Sequence, residues 1–334
     1  MSAAQGSNVR HVTVDSDRAG QRLDNFLISL LGNVPRSLVY RLIRTGQVRV
    51  NSSRAKPMQK LKAGDLIRVP PVRLDATAEV RIPTGLVATV RSCIVEQNPD
   101  FVILDKPAGL AMHGGTGLSY GLMDAIGEIN PNWRPVHRLD RPTSGLLVIA
   151  CHHQALVALQ KAFVGRTVEK RYLALLHGVL PEDRMPVDAP LKKIQDGSGQ
   201  RRIIVAEDGQ TARSTFRVLE RLAGFTFVEV SIETGRTHQI RAHAASIGYP
   251  VAGDELYNEQ TAERPAAERI SQGSSNKAQQ RLSQQLSQQL SHRLFLHSHY
   301  LRLPWPDDRI FSSPLPDELS EVLVQLRDKP SATI

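Results

Sequence analysis

The chain has 334 residues, of which 41% are hydrophobic, and a formal net charge of +9 at neutral pH. That length accommodates two domains and that composition is globular, while the apolar run 146–151 is far too short to span a bilayer. The first ten residues lack the apolar stretch of a secretory signal. Cys93 and Cys151 stand apart, without CxxC spacing or a set of histidine partners, so neither a zinc site nor a disulfide framework is indicated, and a reducing cytoplasm is the expected setting. Positive charge is concentrated at one end: residues 1–80 hold 13 Lys and Arg against 6 Asp and Glu, and the remainder 29 against 27. A basic segment on a near-neutral body suits contact with phosphates.

After an amino-terminal arm over 1–19, residues 20–75 read as a small module. Leu23, Phe26, Leu27, Leu30 and Leu31 recur at the spacing of one helix face. Pro35 opens a second helical segment, in which Leu38, Val39, Leu42 and Ile43 are apolar and Arg36, Arg41 and Arg44 fall elsewhere. Gly46 closes it as a C-terminal cap would. Residues 48–51 and 66–69 read as short strands, joined by a basic connection over 54–62. Arg36, Arg41, Arg44, Arg49, Arg54 and Lys56 are the candidates for phosphate contact. Such arginines also suit an exposed salt-bridging face, but acidic partners are scarce here.

Residues 76–92, with Pro83 and Gly85 and no clear period, read as a linker ahead of a larger domain over 93–330. In that domain 94–96 and 101–104 flank an Asn-Pro-Asp turn, and 215–220 and 225–234 flank Ala223-Gly224, both hairpin signatures. The loop Gly114-Gly115-Thr116-Gly117 lacks the spacing of a nucleotide-binding loop. Paired strands with irregularly placed helices indicate an α+β fold with a mainly antiparallel sheet. Residues 259–292, with Leu-Ser-Gln-Gln repeats, read as a Gln-rich insertion without chemistry.

The run His137-Arg138-Leu139-Asp140-Arg141-Pro142-Thr143-Ser144-Gly145 precedes the apolar stretch 146–150. It sets one acid between two arginines at the mouth of a buried strand. Fixed positive charge there keeps a carboxylate ionised and aimed, as a nucleophile or general base requires. By itself the pattern also fits a turn-capping aspartate in a structural ion pair. Further on, Thr237 is the expected N-cap of a helix with apolar Ile240, Ala244 and Ile247, closed by Gly248, and Arg241 lies near its start.

His-Arg-Leu-Asp-x-x-Thr-Ser-Gly resembles the active-site motif of the RluA-type pseudouridine synthases. Lys170-Arg171-Tyr172-Leu173-Ala174, Gly235-Arg236-Thr237-His238-Gln239-Ile240-Arg241 and Arg293-Leu294-Phe295-Leu296-His297 follow in that family's order. The amino-terminal module resembles the S4 RNA-binding domain, down to Arg22-Leu23-Asp24 at its start and the Ala-Gly-Asp turn at 63–65. The resemblance implies a pseudouridine synthase fold, with a mixed sheet and a central cleft, behind a small S4-like α/β module.

The family's reaction breaks the N1–C1′ bond of uridine, turns the base and joins C5 to C1′, which requires neither metal nor cofactor. The resemblance makes Asp140, Tyr172 and Arg241 the catalytic residues: the essential acid, the residue stacked on the base, and the cation paired with the acid. Tyr172 is also a candidate to take the C5 proton. Leu296 is expected beneath the uracil, Arg138 in the space left by the flipped nucleotide, and Arg236 on a phosphate. His137 is grouped with these substrate-binding residues, shaping its loop rather than moving protons, and His113 is read similarly. The S4 blocks and the 69–73 tail resemble the types acting on several uridines of 23S rRNA, so that RNA or a large-subunit precursor is the expected partner of a monomer. A non-catalytic ribosome-assembly factor on the same fold, and an S4-bearing paralogue with other target uridines, are the alternatives.

Overall fold

In the computed structural model, placement is described for residues 9–328 except 33, 35, 73–81, 115–119, 196–200 and 258–292. The readings of Pro35, of most of the Gly114–117 loop and of the Gln-rich insertion fall outside the described residues. The chain divides into two compact units, one of 1–81 with 152–154 and one of 82–151 with 155–334.

In the first unit, α1 (Leu23–Leu31) and α2 (Arg36–Arg44) cover a four-stranded sheet. Its strands are β1 (Arg10–Thr13), β2 (Arg49–Val50), β3 (Ser53–Arg54) and β4 (Leu66–Val69), in the order β1–β4–β2–β3. The helix-face residues Leu23, Phe26, Leu27 and Leu31 share a core with Val39, Leu42, Ile43, Val50, Ile67 and Val69. The stretch expected to be a free arm thus differs in part, because β1 completes the edge of β4. Asp24 is buried; its carboxylate takes hydrogen bonds from Arg22 Nη2 at 2.6 Å and the Tyr40 hydroxyl at 2.8 Å. Burial raises its pKa, but these bonds outweigh that and hold it below the ordinary value.

The second unit begins with α3 (Thr84–Ser92), where the sequence suggested linker. Pro83 at its entry and Gly85 in its first turn read as breakers, yet Leu86, Val87 and Val90 form an apolar edge that packs into the main core. Behind it comes a ten-stranded sheet. The strands are β5 (Ile94–Gln97), β6 (Phe101–Lys106), β7 (Arg134–Pro135), β8 (Ser144–Ala150), β9 (Glu169–His177), β10 (Arg184–Asp188), β13 (Arg213–Leu222), β14 (Phe225–Ile232), β15 (Leu296–Leu303) and β16 (Arg309–Ser312), with β11 (Leu191–Gln195) and β12 (Arg201–Val205) forming a separate hairpin. The order is β10–β13–β14–β9–β15–β8–β6–β5, with β16 against β15 and β7 against β8.

All pairings in the sheet are antiparallel except that of β15 with β8, which joins its two halves through His297 beside Ser144 and Ser298 beside Gly145. Gly145 has φ +108°, and a Cβ there would overlap the Ser298 carbonyl, so no larger residue allows this approach. Alternation along β9 sends Tyr172, Ala174 and Leu176 to one core and Leu173 and Leu175 to another. Around the sheet lie α4 (Leu122–Ile129), α5 (His153–Val164), α6 (Gln239–Ser246) and α7 (Asp317–Arg327). Among the described residues no helix is long and apolar enough to cross a membrane.

Candidate active site

The turn between β7 and β8 carries Asp140, and nearly every polar group around it is tied down. Thr143 N–H donates to the Asp140 carbonyl at 3.1 Å, and Gly109 N–H to the Arg141 carbonyl at 2.8 Å. Arg293 donates to the Pro142 carbonyl at 3.1 Å and the Ser144 hydroxyl at 2.7 Å, while His297 Nδ1 lies 2.9 Å from the same hydroxyl. Lys106 is buried at the end of β6, with its ammonium on the Pro107, Leu110 and Arg141 carbonyls. Burial, assisted by Arg293, pushes its pKa down to about 7. An anchored loop fixes where a carboxylate points, which is the requirement for a side chain acting on one bond of a substrate.

Asp140 faces a cleft of roughly 480 Å³, open space included, lined also by Arg138, Tyr172, Arg236, Arg241 and Leu296. The sequence candidates from four separate blocks therefore meet at one place. Arg241 Nη1 lies 3.8 Å from Asp140 Oδ2. Its principal partner, however, is Asp254: Nε and Nη2 donate to the two Asp254 oxygens at 2.7 and 2.8 Å. The contact with Asp140 is thus the longer of two, and Asp254 is a partner that the sequence reading did not include. Asp254 is fully buried and also accepts the Leu256 and Tyr257 amides. Gly253, at φ +75°, permits that turn, because a Cβ there would overlap the Arg293 carbonyl. One guanidinium nitrogen is left toward Asp140, so Arg241 acts as a fixed positive charge beside it. Burial opposes that charge, but Asp254 and then Asp140 hold the Arg241 pKa above its ordinary value.

Helix α6 starts one residue later than expected. His238, not Thr237, is its N-cap, with the left-handed backbone angle φ 52°. No side chain caps the helix; the Gln239 oxygen instead ties down the loop before it, taking the Arg236 amide at 3.0 Å and the Thr234 hydroxyl at 2.7 Å. That kink turns His238 toward the cleft, with Nε2 3.9 Å from Asp140 Oδ2. Burial lowers the His238 pKa against the opposing pull of Asp140, so the ring is neutral at neutral pH.

Tyr172 is 7% exposed, and burial pushes its pKa up to about 12 despite a hydrogen bond with Ser298. It therefore keeps its proton at neutral pH and lines the cleft together with the buried Leu296. Arg138 is exposed at the rim. Arg236 lines both this cleft and an adjoining groove containing Lys192 and Lys193. His137 does not line the cleft, which corrects its grouping with the substrate-binding residues. Its Nε2 accepts the Val148 amide at 3.0 Å and its ring stacks on Phe163 at 4.7 Å. Burial, with Lys170 nearby, pushes its pKa down to about 3. His113 is exposed on its own loop.

In the first unit Arg41, Arg44, Arg49, Arg54 and Lys56 are all exposed, and the Arg36 side chain lies outside the described residues. Arg49 bonds the Gly46 and Ser52 carbonyls, leaving its charge unneutralised. Among the described residues no group of three or more His, Cys, Asp or Glu is placed to hold a metal ion.

Asp254, Tyr257 and His238 went unread in the sequence. Asp254 and Tyr257 belong to the Ala252-Gly253-Asp254-Glu255-Leu256-Tyr257 turn, where an Ala-Gly-Asp step resembling that at 63–65 was the one available signal. His238 sits inside the 235–241 block, between the two arginines that drew notice.

The chain has relatives among known proteins. The family described as RNA pseudouridylate synthase matches residues 100–246, and the S4 domain matches residues 21–67. The chain is 38% identical to the ribosomal large subunit pseudouridine synthase C of Haemophilus ducreyi, covering 96% of this chain and 97% of that one. It is 37% identical to the protein of the same name from Escherichia coli, over 96% and 98% of the two chains. Among solved structures, human RNA pseudouridylate synthase domain containing 4 aligns with a TM-score of 0.58 at 25% identity, covering 73% of this chain and 96% of that one.

Proposed function

Because the chain belongs to the RNA pseudouridylate synthases and carries an S4 domain, we propose that it isomerises uridine in 23S rRNA and that Asp140 is the carboxylate that does so. The observation that carries the assignment of Asp140 is its position: an anchored carboxylate in the cleft, 3.8 Å from a buried arginine and beside Tyr172 and Leu296. A target uridine in structured RNA leaves its stack to reach it, and Arg138 at the rim is suited to fill the vacated space. Tyr172 and Leu296 sandwich the uracil. Asp140 then either adds to C1′ as N1 departs, or takes a sugar proton to give a glycal; both routes use an ionised carboxylate held by Arg241. After the base turns, C5 bonds to C1′ and loses its hydrogen. Tyr172, protonated at neutral pH, supports stacking more than it supports proton abstraction. Arg236, with the neighbouring lysines, contacts a phosphate next to the target. The S4 unit adds backbone contacts through Arg41, Arg44, Arg49, Arg54 and Lys56, with Arg36 assigned to the same role. We assign the protein to the cytoplasm, where large-subunit rRNA is found, and to a monomer, for which Asp140, Tyr172, Arg241 and Leu296 of a single chain suffice to line the cleft.

The test is tritium release from 23S transcript labelled at uridine C5, with wild type beside Asp140→Asn. Wild type is expected to release tritium and the variant to be slower by about 10³-fold or more, at the upper end of what one acid–base group supplies. Equal release by both removes Asp140 from its role. No release by wild type from naked RNA or from immature large-subunit particles, with binding intact, favours an assembly factor.

A further inference from the structure

Tyr257 is fully buried, and its ring lies under the Arg241 guanidinium at 5.1 Å. Its hydroxyl oxygen accepts the Ile203 amide at 3.2 Å, and the His238 Nδ1 atom lies 3.1 Å away. The hydroxyl proton needs an acceptor, since a buried donor left unpaired is costly, and Nδ1 is the acceptor provided. Burial also pushes the tyrosine pKa up to about 12, so the proton is always present. A ring that accepts at Nδ1 carries its own proton on Nε2. That nitrogen faces Asp140 Oδ2 at 3.9 Å, on a left-handed backbone at φ 52° that few residues other than glycine adopt.

We propose that His238 is a positioning residue for Asp140: a neutral imidazole, fixed by Tyr257 as the Nε2–H tautomer, whose N–H steers one carboxylate oxygen and leaves the other for the ribose. The inference rests on Asp140 being the reacting carboxylate. Arg241 and His238 then divide the task. Arg241 supplies charge, and His238 supplies direction without adding a second cation, which would weaken the carboxylate as a nucleophile. The gap of 3.9 Å closes when bound RNA excludes water from the cleft, as apo contacts at reacting groups commonly do. Tyr257 also reaches Arg241, so one buried ring sets both partners of Asp140.

The test combines two measurements. Nitrogen NMR of 15N-histidine-labelled protein, with the His238 signals assigned by their loss in His238→Gln, should show a protonated Nε2 and a bare Nδ1 in wild type. In Tyr257→Phe, which keeps the ring over Arg241, it should show a mixture of tautomers. Single-turnover tritium release should fall about 10-fold in Tyr257→Phe and more in His238→Ala, with RNA affinity changed less than about 2-fold, as for a group acting on the chemical step. His238→Gln, whose amide nitrogen reaches about as far as Nε2, should recover most of the rate. A protonated Nδ1 in wild type overturns the inference whatever the rates. So does a His238→Ala rate equal to wild type, or a Gln variant no better than Ala. A wild type that releases no tritium sinks the underlying reading of Asp140 instead, and the tautomer spectrum still decides the Tyr257–His238 bond.

Discussion

In the amino-terminal unit Arg41, Arg44, Arg49, Arg54 and Lys56 stand in solvent, whereas in the cleft Arg241 is 8% exposed and clamped by a carboxylate with no exposed surface. The two regions use positive charge for different ends. A solvated cation attracts any phosphate from some distance, and salt screens it. A buried, doubly bonded guanidinium attracts little at a distance, but it holds one carboxylate in one geometry where screening hardly reaches. Affinity for RNA should therefore reside mainly in the first unit and the rate of chemistry in the second.

The most severe way to test that division is Asp254→Asn. It leaves Arg241 buried without its anionic partner, which is expected to destabilise the second unit by about 3–5 kcal/mol. The free guanidinium should also swing toward Asp140, with turnover falling by about 10²-fold. Thermal melts and tritium release measure both; wild-type turnover would show that Arg241 does not need its anchor. A smaller effect is expected from Arg41→Glu with Arg44→Glu. RNA affinity should weaken by about 10-fold or more and the salt dependence of binding should become shallower, by about 1 in log–log slope for each phosphate no longer neutralised. The rate at saturating RNA should stay the same. A changed saturating rate would break the comparison.

Lys106 sharpens it, being a buried cation whose ammonium has three carbonyls and, among the described residues, no carboxylate on it. Its folded pKa of about 7 lies below the unfolded value of roughly 10.4, so the unfolded chain binds the extra proton between those limits. Stability from this group therefore rises with pH across that window and is lost as pH falls through 7. The stability of wild type relative to Lys106→Met should grow by at most about 1.4 kcal/mol per pH unit from 7 to 10. Denaturant melts at several pH values would show it, and a flat difference would mean the ammonium is solvated.

Both hairpins and the sheet's antiparallel character could be read from the chain, because period-2 alternation and turn residues are local signals, whereas the meeting of Asp140, Tyr172, Arg241 and Leu296 was implied by the resemblance of four ordered blocks to a known family. The errors have local causes as well. Residues 84–92 hid a helix behind Pro83 and Gly85, and His238 displaced the start of α6 by taking a left-handed angle that spacing does not reveal. Asp254 lies thirteen residues from Arg241 in the chain and meets it only after the Gly253 turn and α6 are both in place. Its partnership belongs to the tertiary structure alone. His137 had the right neighbours in sequence, but its ring turned to Val148 and Phe163.

The Gly145–Ser298 contact has a mechanical consequence. The two halves of the large sheet are joined through a two-residue parallel rung, beyond which the same edge of β15 passes to β16. Asp140 rides on the half that contains β8, while Arg241, Asp254 and His238 ride with the half that contains β14. The short join between the two halves thus runs beside the turn that carries Asp140. Any flexing of the domain about that line is felt first as a change in the spacing between Asp140 and the two groups that hold it.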